Sequence, residues 1–379
     1  MSRLAAALLA VALVAGAAPV RADEAQPYET VRAIEALQDR IAAGDTASQA
    51  AHARAVLRAA RSFVRVKAET WADKRNARAL VLYLFSGGDA KTVADSVPIG
   101  VVAPQIAELY AGALAYGVGD DVTAREKLMA IDARSLQGGL GGHLALIQAT
   151  LVAASDKAKA VGLLDLARLL APGTLVEEAA LRKEMSLIGS TGDLDKFALL
   201  TRRYLGAFPR SSYAQNFREL VARTATEIGA DDGPGADKRL ARLMTGLETA
   251  ERRRLYLAIA HAAALEGRMS MAIYAGTEAR KLSRPGDQDA TRAAIYAGAA
   301  AIVGDGYDDA ERDLTRAPTD GLGAADRALR TSALAVAEMI RQPLKTDRVA
   351  SAQAATAEIV TDAERSLVAS DGALKAAAP

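Results

Sequence analysis

Apolar residues return every three to four positions through most of this chain, the spacing of helices with one buried face. After residue 26 the first such stretch runs from Pro27 to Ala43, with Val31, Ile34, Leu37 and Ile41 on one side. Gly44-Asp45 ends it, and a second helix is predicted from Ser48 to Val66 around Val56, Leu57 and Phe63. WADKRNARALVLYLFSGGD then leads into an array of helix pairs, with Pro98, Gly100 and Pro104 marking a loop on the way.

The turns between paired helices recur almost evenly. Gly87, Gly119, Ser155, Gly192, Gly229, Gly267 and Gly304 are 32, 36, 37, 37, 38 and 37 residues apart. A helix–turn–helix unit of that length predicts an all-α fold, a tetratricopeptide-like αα-hairpin solenoid. Ala107 to Asp132 is the clearest copy. Gly112 falls where the two helices approach closely, Gly119 ends the first helix, and Ala124 and Leu128 return from the second. In the next copy Ala160, Leu164 and Ala167 take the second-helix positions. Pro172, Pro209, Pro285 and Pro318 close four of the five clearest copies, because proline cannot continue a helix. The unit around Gly229 is the weakest, and GADDGPGADKR reads as a loop and a joint between two halves.

These signals divide the chain into an N-terminal helical region, residues 23–104, a first repeat array, 105–228, and a second array with its C-terminal cap, 238–369. Ala324 to Arg341 and Thr346 to Leu367 form the cap, and an Ala-rich tail, 370–379, is expected to be disordered. Residues 1–22 read as a secretory signal peptide. Arg3 supplies the positive start, Leu4 to Ala15 the apolar run, and Val20-Arg21-Ala22 the cleavage positions, so the mature chain starts at Asp23. The apolar run is too short to span a bilayer.

Composition changes the picture in three ways. Aromatic residues make up 4% of the chain and Trp71 is its single tryptophan, which disfavours a deep aromatic-lined sugar or nucleobase site. Removing residues 1–22 takes two arginines and no acid, leaving 45 basic against 46 acidic side chains, a net charge of −1. That balance gives no sign of nucleic-acid or anionic-membrane binding. There is no cysteine, so an exported form has no disulfides.

Candidate chemistry is sparse. Asp165 to Glu184, DLARLLAPGTLVEEAALRKE, is the most distinctive string: Pro172-Gly173 stop one helix, and Thr174 with Glu177 makes a capping box for the next. Capping accounts for Glu177 better than a catalytic role for Glu177 and Glu178. Gly138 to His143 lacks the spacing and the preceding strand of a phosphate loop. Asp305 to Asp309 lacks the distal Glu of a calcium loop. His52, His143 and His261 are scattered, so no metal, cofactor or catalytic residue is assigned. Thr201 to Phe217, TRRYLGAFPRSSYAQNF, is rich in the residue types that dominate interfaces. Arg202, Arg203, Tyr204, Arg210 and Tyr213 are the candidate interface residues; the competing reading packs the aromatic rings between repeats.

Four strings, ALQDRIAAGD, NARALVLYLFSGGD, LARLLAPGTLVEEAALRKE and RRYLGAFPRSSYAQNF, occur in that order. Together they resemble the MotC family of periplasmic motility (chemotaxis) proteins of rhizobia and related alphaproteobacteria. The resemblance covers about residues 25 to 225 well, with Lys183 where the family pattern has Arg. It implies a non-enzymatic periplasmic protein needed for flagellar rotation, which binds the periplasmic part of the stator protein MotB and assists its folding or placement. The alternatives are a general periplasmic adaptor in envelope assembly, and an envelope enzyme acting on peptidoglycan through a carboxylate pair.

Overall fold

A computed structural model describes residues 26–189, 193–228, 236–342, 356 and 358–366. The signal peptide, the turn positions Gly192 and Gly229, residues 346–355 and the Ala-rich tail lie outside the described residues. Among those described there is no strand; the secondary structure is α-helix with three short 3-10 turns.

The chain divides into two compact units. Unit 1 comprises residues 1–184 and 207–212, and unit 2 comprises 185–206 and 213–379. The division falls at Glu184/Met185 and around residues 207–212.

Unit 1 contains α1 (Pro27–Ala42), α2 (Ala47–Phe63), α3 (Lys74–Phe85), α4 (Ala90–Ser96), α5 (Pro104–Val118), α6 (Asp121–Met129), α7 (Leu140–Val152), α8 (Lys157–Leu170) and most of α9 (Leu175–Ile188). α1 packs on α2 and α3, α3 on α5, α5 on α6, and α7 on α8. Local chemistry sets these elements. Asp73, Asp89, Asp120 and Asp156 each accept a backbone N–H in the first turn of the helix that follows, which satisfies donors the helix leaves unpaired. Gly87 and Gly119 stop α3 and α5 in the left-handed region, at φ +85° and +83°. Within the α5–α6 hairpin a Cβ at Gly112 would lie 2.5 Å from Leu128 Cδ2, so only glycine permits this approach. Ala124 and Leu128 are fully buried behind it, and Ala160, Leu164 and Ala167 repeat the plan in α8. Trp71, Phe63 and Tyr83 form an edge-to-face cluster at 5.5 and 5.1 Å. One expectation fails in α2. Leu57 is 59% exposed, and the buried face is carried by Ala59, Ala60 and Phe63.

Unit 2 contains the end of α9, then α10 (Leu194–Ala207), α11 (Ala214–Ile228), α12 (Ala236–Met244), α13 (Thr249–Leu265), α14 (Met269–Lys281), α15 (Gln288–Ala301), α16 (Tyr307–Arg316) and α17 (Ala324–Arg341). α11, α13, α15 and α17 each pack on the next in that series, and α14 and α16 pack on their chain neighbours. Small residues let the helices close up: a Cβ at Gly276 would meet Ala297 Cβ at 2.9 Å, and one at Gly298 would meet Leu314 at 3.1 Å. Charge is drawn inside as well. Arg218 Nε and Nη2 donate to the two carboxylate oxygens of Glu251 at 3.0 Å each, and both side chains are buried. α12 begins at Ala236, inside the stretch read as loop.

Candidate interaction site

Three of the four distinctive strings meet at one place in unit 1. The connector after α10, residues 207–212, clusters there with Phe208 and Ser211 buried. Gly44, at φ +97°, lies against the Arg210 backbone; a Cβ there would stand 2.7 Å from the Arg210 carbonyl oxygen. Gln49 Nε2 donates to Ser212 Oγ at 2.7 Å. From the other side Ser211 Oγ donates to Glu178, whose side chain is completely buried. ALQDRIAAGD, APGTLVEEAALR and GAFPRSSY are therefore conspicuous because they build one closed junction.

The acids of α9 serve that junction structurally. Glu177 Oε2 accepts from the Gly173 N–H at 2.6 Å, while the Thr174 hydroxyl donates back to the Ala171 carbonyl at 2.7 Å. Glu177 thus helps satisfy the backbone at the start of α9, through a residue one position earlier than the capping-box reading names. Glu184 is completely buried and accepts from Arg168 Nη1 at 2.7 Å, which also reaches Asp165 at 2.8 Å. Glu177, Glu178 and Glu184 are all buried.

The five predicted interface residues differ in burial. Tyr204 is fully buried and its ring stacks on Phe217 at 3.7 Å, so it is a packing residue and not a surface contact. The reason is its register on α10, shared with the buried Phe197, Leu200 and Thr201. Arg203, Arg210 and Tyr213 are exposed and Arg202 is half-buried. Arg210 belongs to unit 1 and the other four to unit 2.

Arg202 points to a different site. It lines a cleft of about 250 Å³ in unit 2 together with residues of α10, α11, α12 and α14. The floor is apolar: Phe197, Ala198, Leu240, Leu243 and Met271, all buried against their neighbours. Arg202, Arg239 and Arg242 stand in the lining, with Asp195 as its one carboxylate. Neither Arg202 nor Arg242 has an ion pair among the described residues. That sets them apart from Arg218, Arg253 and Arg292 of the same unit, which pair with Glu251, Asp289 and Asp326. Sequence reading missed α12 because Gly and Pro before it signalled a loop. The signal that reveals it is the amphipathic run ADKRLARLM, in which Leu240, Leu243 and Met244 are buried and Lys238 and Arg242 are exposed.

The remaining motifs fall on ordinary structure. His143 Nδ1 lies 3.0 Å from the Gly139 carbonyl oxygen in the first turn of α7. Asp308 and Asp309 sit in the first turn of α16. His261 packs 5.0 Å from the Tyr296 ring, whose hydroxyl donates to buried Asp326. Burial pushes the His261 pKa down and the Tyr296 hydroxyl above its usual range. Among the described residues no group of His, Cys, Asp and Glu is placed to hold a metal ion, and no helix is long and apolar enough to cross a membrane.

Comparison with known proteins adds an independent line. The profile of the family described as "Chemotaxis protein MotC" matches residues 1–378. The chain is also similar to a protein named "Chemotaxis protein MotC" from Rhizobium meliloti (strain 1021). The two are 32% identical over 368 residues, covering 94% of this chain and 82% of the relative. No solved structure matches.

Proposed function

The chain belongs to the family of the chemotaxis protein MotC, and from that premise we propose that it is a non-enzymatic binding protein of the flagellar motor. Its client is the periplasmic part of the stator protein MotB, which it helps to fold or to reach its working position. Residues 1–22 direct export to the periplasm and are removed after Ala22. The helices form a tetratricopeptide-like solenoid, a fold type that presents an extended binding surface.

The observation that carries this reading is the family match over residues 1–378, nearly the whole chain. Two structural facts support it. The distinctive carboxylates of α9 are spent on packing and capping. In unit 2, α11, α13, α15 and α17 pack in succession, with α14 and α16 on their chain neighbours, the neighbour pattern of stacked hairpins.

The test is direct binding between the purified chain from Asp23 onward and the purified periplasmic region of MotB. Binding, together with loss of swimming in a deletion strain, is the expected result. A folded chain that fails to bind the MotB region overturns the assignment of the client.

A further inference from the structure

The cleft of unit 2 combines an apolar floor with arginines in its lining. Its floor is made of large apolar side chains, Phe197, Leu243 and Met271 among them. Arg202, Arg239 and Arg242 are among its lining residues. Arg239 and Arg242 are three positions apart on α12, so they sit on neighbouring faces of one helix. Arg202 and Arg242 have no ion pair among the described residues, and Asp195 is the one acid in the lining.

Size narrows the ligand. About 250 Å³ is below the roughly 300–1,000 Å³ of sites that engulf a small molecule. It suits anchoring side chains of a ligand that continues across the surface. Arg202 and Arg242, neither in an ion pair among the described residues, offer two cations beside one apolar floor, more than a single carboxylate head needs. Arginine is the residue of choice for planar pairing with carboxylates at interfaces.

We propose that this cleft seats a short acidic–apolar peptide segment of a protein partner. One or two aliphatic or aromatic side chains rest on the Phe197, Leu243 and Met271 floor, and flanking Asp or Glu carboxylates pair with Arg202 and Arg242. The inference rests on the reading of the chain as a binding protein and deepens it by naming the site and the chemistry of the bound segment.

The test uses the full chain from Asp23 and a fluorescent peptide with two leucines flanked by glutamates, against the same peptide with lysines in their place. The glutamate peptide binds and the lysine peptide does not. Arg242→Glu weakens the glutamate peptide about tenfold or more, and the double variant Arg202→Glu/Arg242→Glu reverses the preference. Arg242 is exposed, and circular dichroism confirms that each variant is folded. Equal binding of the two peptides, or no effect of Arg242→Glu, overturns the proposal. So does displacement of the peptide by laurate at a lower concentration than by unlabelled peptide, which makes the site one for small amphiphiles. Self-association that Arg242→Glu abolishes assigns the cleft to a second copy and overturns it too. Binding of the MotB periplasmic region, measured in parallel, separates the two readings. MotB bound with the peptides indifferent to Arg242 removes the cleft proposal alone. Peptide selectivity without MotB binding removes the MotB assignment alone.

Discussion

The junction of unit 1 and the cleft of unit 2 are built from similar helical parts and end with opposite character. At the junction, Gly44, Glu178 and Ser211 come from three distant stretches and close on one another, with the acids buried and bonded. At the cleft, the buried Phe197, Leu243 and Met271 line an apolar floor, and Arg202 and Arg242 have no ion-pair partner among the described residues. The difference teaches where fold and binding reside. A buried charge without its partner costs several kcal/mol, so the junction tolerates little change. An exposed arginine at a rim costs almost nothing to keep or to lose in the free protein.

The largest expected effect is at the closed side. Glu184→Ala leaves Arg168, itself mostly buried, without its principal buried partner, and unfolding should be easier by about 3–5 kcal/mol. Trp71 lies in unit 1 and is the single tryptophan, so its fluorescence reports that unit, while far-ultraviolet circular dichroism reports both. The fluorescence transition in urea should shift to lower denaturant. An unchanged midpoint would show that the junction is not a stabilising element. Next comes Gly44→Ala. Its methyl group meets the Arg210 backbone at 2.7 Å and its φ of +97° strains any other residue, so a loss of about 2–4 kcal/mol is expected by the same measurement.

These residues also show what the sequence made legible. The α5–α6 hairpin was readable in detail because its contacts are local: Gly112, Gly119, Ala124 and Leu128 lie within one repeat, and each plays the part its position implied. The junction strings were recognisable as unusual, but their convergence was not. Gly44 and Arg210 are separated by most of unit 1, and no periodicity links them. For Tyr204 the competing reading holds: residue type made it an interface candidate, but its place beside Phe197 and Thr201 on α10 packs it in the core. The cleft's lining is divided among α10, α11, α12 and α14, so no single stretch of sequence displays it. Arg202 alone of the five interface candidates lines it, and it was selected for its residue type.

At the open side the expectation for stability is a small number. Arg242→Glu and Arg202→Gln should each change unfolding free energy by no more than about 0.5 kcal/mol, because neither side chain holds an ion pair in the fold. A loss comparable to that of Glu184→Ala in urea unfolding would mean that the rim arginines belong to the packing, and the contrast between the two regions would collapse.

The smallest effect is one of pH, and it reaches both units through their histidines. Burial depresses the pKa of His52 and His143 in unit 1 and of His261 in unit 2. At His261 the carboxylate of Asp326 works against that depression and Arg292 adds to it. The unfolded chain therefore takes up protons below about pH 6.5 that the folded chain resists. Stability should be flat above that pH and fall as pH drops through it toward the lower folded-state values. A second loss belongs to a separate, more acidic window. Asp73, Asp89 and Asp120 have pKa values lowered chiefly by hydrogen bonds from Arg75, Thr92 and Thr123, and their contribution is present above the usual carboxylate range and lost as pH falls through the lowered values. Replacing all three histidines with glutamine should flatten the stability profile between about pH 7 and 5 while leaving the acidic limb in place. His261→Gln alone isolates unit 2: it should reduce the slope seen by circular dichroism and leave the Trp71 transition of unit 1 where it was. A shift of the Trp71 transition by His261→Gln would instead show that the two units unfold as one.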